Sequence, residues 1–320
     1  MNRIENQEQF YKEFYDSLEQ ELEPEGMHLI EIDVPKNNIT LKGISIRCEE
    51  QSAMPIIYPE SYYEDYQKGI SIKDIISYVK DVLINGINKI KDLLKFSDRE
   101  NVSTHLRTAI VNYENNKNWL KDIPHERIAD LALYAKLRLE EDYAVIITNQ
   151  FLSQLQLTKE ELFKTARENM AKEIVFQSMG GFIMDVVSEK SEEPAKEDFH
   201  MMQSEFKSKS MFWILSTKDG LDGAALIADQ TVMEKVSRKF PEGFYILPSS
   251  IYEVLILPKR DGLEVDELRS MVQSVNQDMV SLEEQLSDNV YVYSNHQLII
   301  AGQTESIEIE AQKHEIKHRR

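Results

Sequence analysis

Near the end of this 320-residue chain, the string HEIKH, His314 to His318, matches H-E-x-x-H. In that spacing a helix presents two imidazoles to one zinc ion while the intervening glutamate, here Glu315, activates a water. Its surroundings argue against zinc chemistry. Lys313, Lys317, Arg319 and Arg320 oppose a dication, and no apolar segment beside them walls off water. A solvated tail or incidental metal chelation is the expectation, and no metal ligand is assigned.

Ser249 and Ser250 sit at the centre of FYILPSSIYEVLILP, residues 244 to 258. A hydrolase serine is held on a strained turn by G-x-S-x-G flanks, which are missing here. Pro248 followed by two serines reads instead as the corner between two strands. The single cysteine, Cys48, excludes an intramolecular disulfide and a Cys-pair metal site, and it reads as a small buried residue. Met179-Gly180-Gly181 fits neither phosphate-cradling glycine pattern, so ATP and NAD have no support. His105, His125 and His296 are scattered singly, and Trp119 and Trp213 lie beside apolar positions where indole rings pack. With 56 carboxylates, close pairs arise by chance, and no spacing marks an acid and a base. No catalytic, cofactor-binding or metal-binding residue is assigned and no cofactor is expected.

The elements that would position any such residues are more legible. Phe10, Phe14, Leu18 and Leu22 step along one face of an N-terminal helix, with Tyr11 and Tyr15 beside them. The stripe reads as core contact or, alternatively, as a docking face. ITLKGISIR (39 to 47) alternates as a strand, MPIIYP (54 to 59) reads as a second, and a helix begins at ESYYEDYQKG. Four- and three-residue steps from Ile72 to Leu94 predict a helix of about six turns. HLRTAIVNY, ADLALYAKLRL and YAVIIT read as strands, with Asn149 expected to cap FLSQLQ. Thr158 and Glu161 form a capping-box pattern. MFWILS, AALIA (224 to 228), FYILP, YEVLILP, VYVYS and QLIIA complete the predicted strands, and DELRSMVQSVNQDMVSLEEQL is a helix.

Strand pairs followed closely by helices recur at IIYPESYYEDY, IITNQFLSQL, LIADQTVMEKV and FYILP to ELRSMVQSV. Such hairpins bury one face under the helices that follow them. The predicted fold is therefore α+β, with repeated β-β-α units, two lobes and a helical N-terminus. The boundaries expected are an N-terminal lobe over 1–170 containing the helix 72–95, a connecting segment 171–210 with a charged linker at 188–210, a C-terminal lobe over 211–302 and a tail over 303–320.

Several separated motifs in one order, NYENNKNWLKDIPHERIADLALYAKLRLEEDYAVIITNQFL, GAALIADQTVMEKV, FYILPSSIYEVLILP, ELRSMVQSVN and LSDNVYVYS, resemble a bacterial family catalogued as domain of unknown function 5688. The resemblance spans most of the chain from about residue 40. It implies a cytoplasmic bacterial protein, and no catalytic residue carries over with it. A more distant likeness to the YtpQ-like family rests on ITNQFL and the strand pair around Pro248.

The formal net charge of −19 discourages binding to nucleic acid and anionic membranes. No segment approaches 18 successive apolar residues, so neither export nor membrane insertion is expected. The reading that follows is a non-catalytic protein-interaction or regulatory scaffold that meets an unknown protein partner through its aromatic N-terminal helix or the 188–210 segment. Two alternatives stay open. One is an enzyme with an unfamiliar site between the lobes, near Thr148-Asn149 and Pro248-Ser249-Ser250. The other is an acidic nucleic-acid mimic.

Overall fold

A computed structural model describes residues 6–46, 55–95, 99–140, 143–183, 211–248 and 250–303; the side chains of 89–101 and 139–143 are outside that description. Cys48, Ser249, the charged 188–210 segment and HEIKH all lie outside the described residues.

The N-terminal part is a helix-and-hairpin body. Helix α1 (Gln7–Leu22) is capped by the Asn6 side chain, which accepts from the Gln9 amide at 2.8 Å. Its stripe of Phe10, Phe14, Leu18 and Leu22 is fully buried. The strands β1 (Leu29–Pro35) and β2 (Thr40–Ile46) pair antiparallel along their whole length. Helices α2 (Pro59–Gln67) and α3 (Ile72–Lys95) cover the stripe, with the Phe14 ring stacked on Tyr62 at 5.7 Å and Phe10 against Tyr63 and Tyr66 at 5.3 Å each. Ile76, Val79, Leu83 and Ile87 are the buried face of α3. The aromatic stripe is thus spent inside the chain and is not the docking face offered as its alternative. The described part of MPIIYP, residues 55–59, is not a strand: only Ile57 pairs there, in a single bridge to Ile44, because prolines at 55 and 59 leave few amide donors.

After α4 (Arg99–His105), the strands β3 (Leu106–Asn112), β4 (His125–Ile128), β5 (Leu131–Glu140) and β6 (Tyr143–Ile146) form an antiparallel sheet centred on β5, with the short helix α5 (Tyr113–Asn116) between β3 and β4. Alternation along β5 is clean. Leu131, Leu133, Ala135 and Leu137 face the main core, while Ala132 and Tyr134 pack against Trp119 and Leu120. Helices α6 (Asn149–Leu155) and α7 (Lys159–Met170) follow. The capping box forms as expected at α7, where Thr158 and Glu161 exchange hydrogen bonds of 2.8 and 3.1 Å. At α6 the cap is Thr148 rather than Asn149: its hydroxyl accepts from the Phe151 amide at 3.0 Å, because Thr148 is the last residue with extended backbone.

A six-stranded antiparallel sheet in the order β12-β11-β9-β10-β8-β7 completes the chain. It comprises β7 (Ile174–Ser178), β8 (Trp213–Thr217), β9 (Phe244–Pro248), β10 (Val254–Pro258), β11 (Tyr291–Ser294) and β12 (Gln297–Ile300), with helices α8 (Gln230–Lys239) and α9 (Val265–Met279). AALIA is a 3-10 turn, Gly223–Ala228, and not a strand. A Cβ at Gly223 would collide with the Tyr252 carbonyl oxygen and Ser216 Cα, so the chain dives too close to β8 and the 250–252 turn to run beside them as a strand. The strand partner that precedes α8 is supplied by β7 and β8, which keeps a β-β-α order.

One apolar cluster holds Leu133, Phe163 and Met170 together with Leu215, Ile227, Ile246 and Tyr291, so it draws on both sides of residues 171–210. The N-terminal body has its own cluster. Between the two lies a polar clasp at the β1–β2 turn. Asn37 Nδ2 donates to Glu283 and Gln285 carbonyls at 3.0 and 2.7 Å, and Asn38 Nδ2 to Leu282 and Gln285 carbonyls at 2.9 and 2.8 Å. Asn116 bridges to both asparagines. Ion pairs join the sheets elsewhere: Arg107 grips Glu173 through two bonds of 2.6 and 2.8 Å, Arg138 meets Asp219 at 2.6 Å, and Lys136 meets the buried Asp222 at 2.7 Å.

Candidate functional site

The described residues among those singled out by type make structural contacts. Ser250 is buried in the β9–β10 corner, where its hydroxyl accepts from the Tyr252 amide at 3.0 Å and lies 3.1 Å from a Glu253 carboxylate oxygen. Both bonds stay within three residues of the corner, the pattern of a serine turn. Thr148 is used as a cap, and Asn149 Nδ2 reaches the Lys121 carbonyl at 3.3 Å. His105 and His125 each place Nδ1 about a hydrogen bond from a backbone carbonyl, at 3.0 and 2.9 Å. Trp119 meets Tyr134 edge-on at 5.1 Å; Trp213 packs on Phe176 and Phe240, with the Lys239 ammonium 4.0 Å from its ring centre. Among the described residues, no group of three or more His, Cys, Asp or Glu could hold a metal ion.

Two places stand out once side chains are placed in space. The first is the outer face of α9. One of its stripes is committed: Leu268 and Val272 pack with Leu247, Leu257, Val290 and Val292 on the sheet face away from the main core. Buried Asn276 fixes the returning chain by donating to the Ser287 carbonyl at 3.1 Å and Asp288 at 2.8 Å, and Gln285 Nε2 ties back to the Asn276 and Val280 carbonyls at 2.8 and 2.9 Å. A second stripe is left in solvent: Met271 is 49%, Val275 37% and Met279 81% exposed, and Leu282 beyond the helix end is 56% exposed. Steps of four put the helical members on one face. Glu267, Asp278 and Glu283 are exposed beside them, and residues 264 to 288 hold seven carboxylates against one arginine.

The second place is a cleft of about 680 Å³ between the two sheets, walled by the end of β4, the outer side of α7, the start of α8 and the β11–β12 hairpin. Ile128, Ile227 and Leu298 give its apolar wall; Arg127, Lys164 and Glu168 line its rim. Arg167 is ion-paired with Glu126. The Arg127 guanidinium lies 3.8 Å over the Tyr113 ring. The Asn295-His296 turn, both residues with positive φ of 49° and 61°, brings His296 Nδ1 3.3 Å from Glu234. Burial first, then the Glu234 and Asp229 carboxylates, raises the Tyr293 hydroxyl above the ordinary tyrosine range, so it stays a proton donor. Among the described residues, no hydroxyl of this cleft is hydrogen-bonded to an imidazole or carboxylate. It offers anchoring groups without an activated nucleophile.

These residues escaped sequence reading for different reasons. The second stripe of α9 is visible as Met271, Val275 and Met279, but periodicity alone does not say which stripe is covered. The cleft is assembled from four separate stretches and leaves no local motif.

The class of protein is thus a mixed α+β structure built on antiparallel strand pairs and covering helices, and no described helix is long and apolar enough to cross a membrane. Within that class, the chain belongs to the family of unknown function DUF5688, whose model matches residues 7–295. No curated protein and no solved structure matches it, and the likeness to the YtpQ-like family finds no support.

Proposed function

We propose that the protein is a non-catalytic interaction protein, and that it docks a partner on the outer face of α9. The observation that carries this reading is the second stripe, Met271, Val275, Met279 and Leu282, exposed on a helix whose other apolar stripe is already buried. Methionines suit such a surface because their unbranched, polarizable side chains adapt to the shape they meet. Burying one Met or Leu side chain contributes about 1.5–3 kcal/mol, so a few neighbours anchor a helix-sized ligand. The carboxylates flanking the stripe select the partner's chemistry: an amphipathic helix with a basic rim. A second copy of this chain would oppose acid to acid across the same face.

The test uses two synthetic helical peptides with one apolar face, one rimmed by lysine and the other by glutamate. The lysine peptide is expected to bind the full-length protein, more weakly as salt rises, and to lose binding to the Met271→Glu/Met279→Glu variant. Equal binding of both peptides, or binding untouched by the double substitution, would overturn the proposal. Self-association of the free protein that the double substitution abolishes would assign the face to a second copy instead. In cells, a photo-crosslinking phenylalanine analogue at Val275 should give a discrete adduct that an analogue at exposed Tyr78 does not.

A further inference from the structure

Folded chains leave few shielded polar atoms without a partner, because an unpaired buried donor or acceptor costs about 1–3 kcal/mol. Among the described residues, four side-chain atoms are in that position: Arg167 Nε, Tyr293 Oη, Asp222 Oδ2 and Asn276 Oδ1. Asp222 Oδ2 has the Lys136 ammonium 2.7 Å away, so its charge is met. The two that can donate, Arg167 Nε and Tyr293 Oη, belong to side chains lining the same inter-sheet cleft. They come from different elements, Arg167 from α7 and Tyr293 from β11.

The charges around these donors are close to balanced. Of the carboxylates lining the cleft, Glu126 is neutralised by Arg167, and Asp229 Oδ1 accepts from the Val232 amide as the cap of α8. Glu168 remains at the rim, which Arg127 and Lys164 also line, and neither of these has a carboxylate partner among the described residues. The lining thus sets Arg127, Lys164 and Arg167 against Glu126, Glu168 and Asp229, a local balance of charge in a chain of net charge −19. The cleft's volume of about 680 Å³ is that of a small-molecule site.

We propose that this cleft binds a small oxyanion-bearing ligand, a phosphate or carboxylate compound, whose oxygens accept from Arg167 Nε and the Tyr293 hydroxyl and whose charge is met by Lys164 at the rim. Guanidinium and ammonium donors are the groups that grip such oxygens most strongly, since a charge-assisted bond is about twice as strong as a neutral one. The site is separate from the outer face of α9 and stands whether or not that face docks a partner.

Calorimetric titration of the full-length protein with inorganic phosphate, pyrophosphate and succinate tests this, phosphate and carboxylate sources being told apart by which probe saturates. At least one is expected to bind saturably and raise the melting temperature. Lys164→Gln should weaken that binding about tenfold, and Tyr293→Phe should weaken it without lowering the melting temperature of the free protein. Lys159→Gln, exposed on the same helix but outside the cleft, should leave binding unchanged. Absence of saturable binding by all three probes would overturn the proposal. So would binding that Lys164→Gln and Lys159→Gln affect equally.

Discussion

Helices α1 and α9 are both amphipathic, and the molecule treats them in opposite ways. Every member of the α1 stripe, Phe10, Phe14, Leu18 and Leu22, is fully buried under α2 and α3. Helix α9 buries Leu268 and Val272 on the sheet but leaves Met271, Val275 and Met279 in solvent. The aromatic stripe was the more eye-catching docking candidate, and it is the one already consumed. An apolar stripe marks a surface that must be covered, and the number of stripes compared with the number of available walls tells whether the chain covers it alone.

Core truncation should separate the two helices most sharply. Phe14→Ala empties space between α1 and α2 and is expected to destabilise the protein by about 3–5 kcal/mol, read as a lower urea midpoint. Leu268→Ala, on the covered stripe of α9, should cost about 2–3 kcal/mol. A cost for Leu268→Ala as small as that of an exposed residue would erase the distinction between the two stripes of α9.

A smaller effect sharpens the α1 side. Glu19 accepts the Leu29 amide at 2.7 Å and sits 3.0 Å from His28 Nδ1, and these contacts, the amide first, outweigh partial burial to hold its carboxyl below the ordinary 4.5. A lowered folded pKa means the stabilisation is complete above 4.5 and is lost as the pH falls through the folded value. The stability gap between wild type and Glu19→Gln should therefore be present at neutral pH and shrink below pH 4.5. Denaturation curves at both ends of that range read it directly. The smallest expected change is at Met279→Ser, within about 0.5 kcal/mol of wild type, because the side chain touches little in the free protein. The same substitution should weaken the basic peptide. A large loss of stability there would show that the outer stripe belongs to the chain's own core.

Much of the frame was legible because its signals are local. Alternation in ADLALYAKLRL survives as β5, the 72–95 periodicity as α3, and Thr158 with Glu161 as the α7 cap. AALIA failed for a physical reason: residues 223 to 227 are all buried, and burial on every side looks alike in a short strand and in a 3-10 turn. What decided it was the approach of Gly223 to Tyr252 and Ser216, a contact between distant stretches. The cleft was illegible on the same ground. Arg167 and Tyr293 are 126 positions apart in the sequence, and nothing near either one predicts the other.

The asparagine clasp has a consequence in time. Asn38 donates to the carbonyls of Leu282 and Gln285, which follow it by 244 and 247 positions. At synthesis rates of about 5–20 residues per second, those acceptors appear about 12–50 seconds after the donor. Asn115 and Asn116 can meet the turn early in that interval, but the Asn38 side-chain amide is left to water until its carbonyl acceptors emerge. The outer end of the α9 face, at Leu282, is therefore among the last parts of the described chain to be fastened, and its completion reports that both ends of the fold have met.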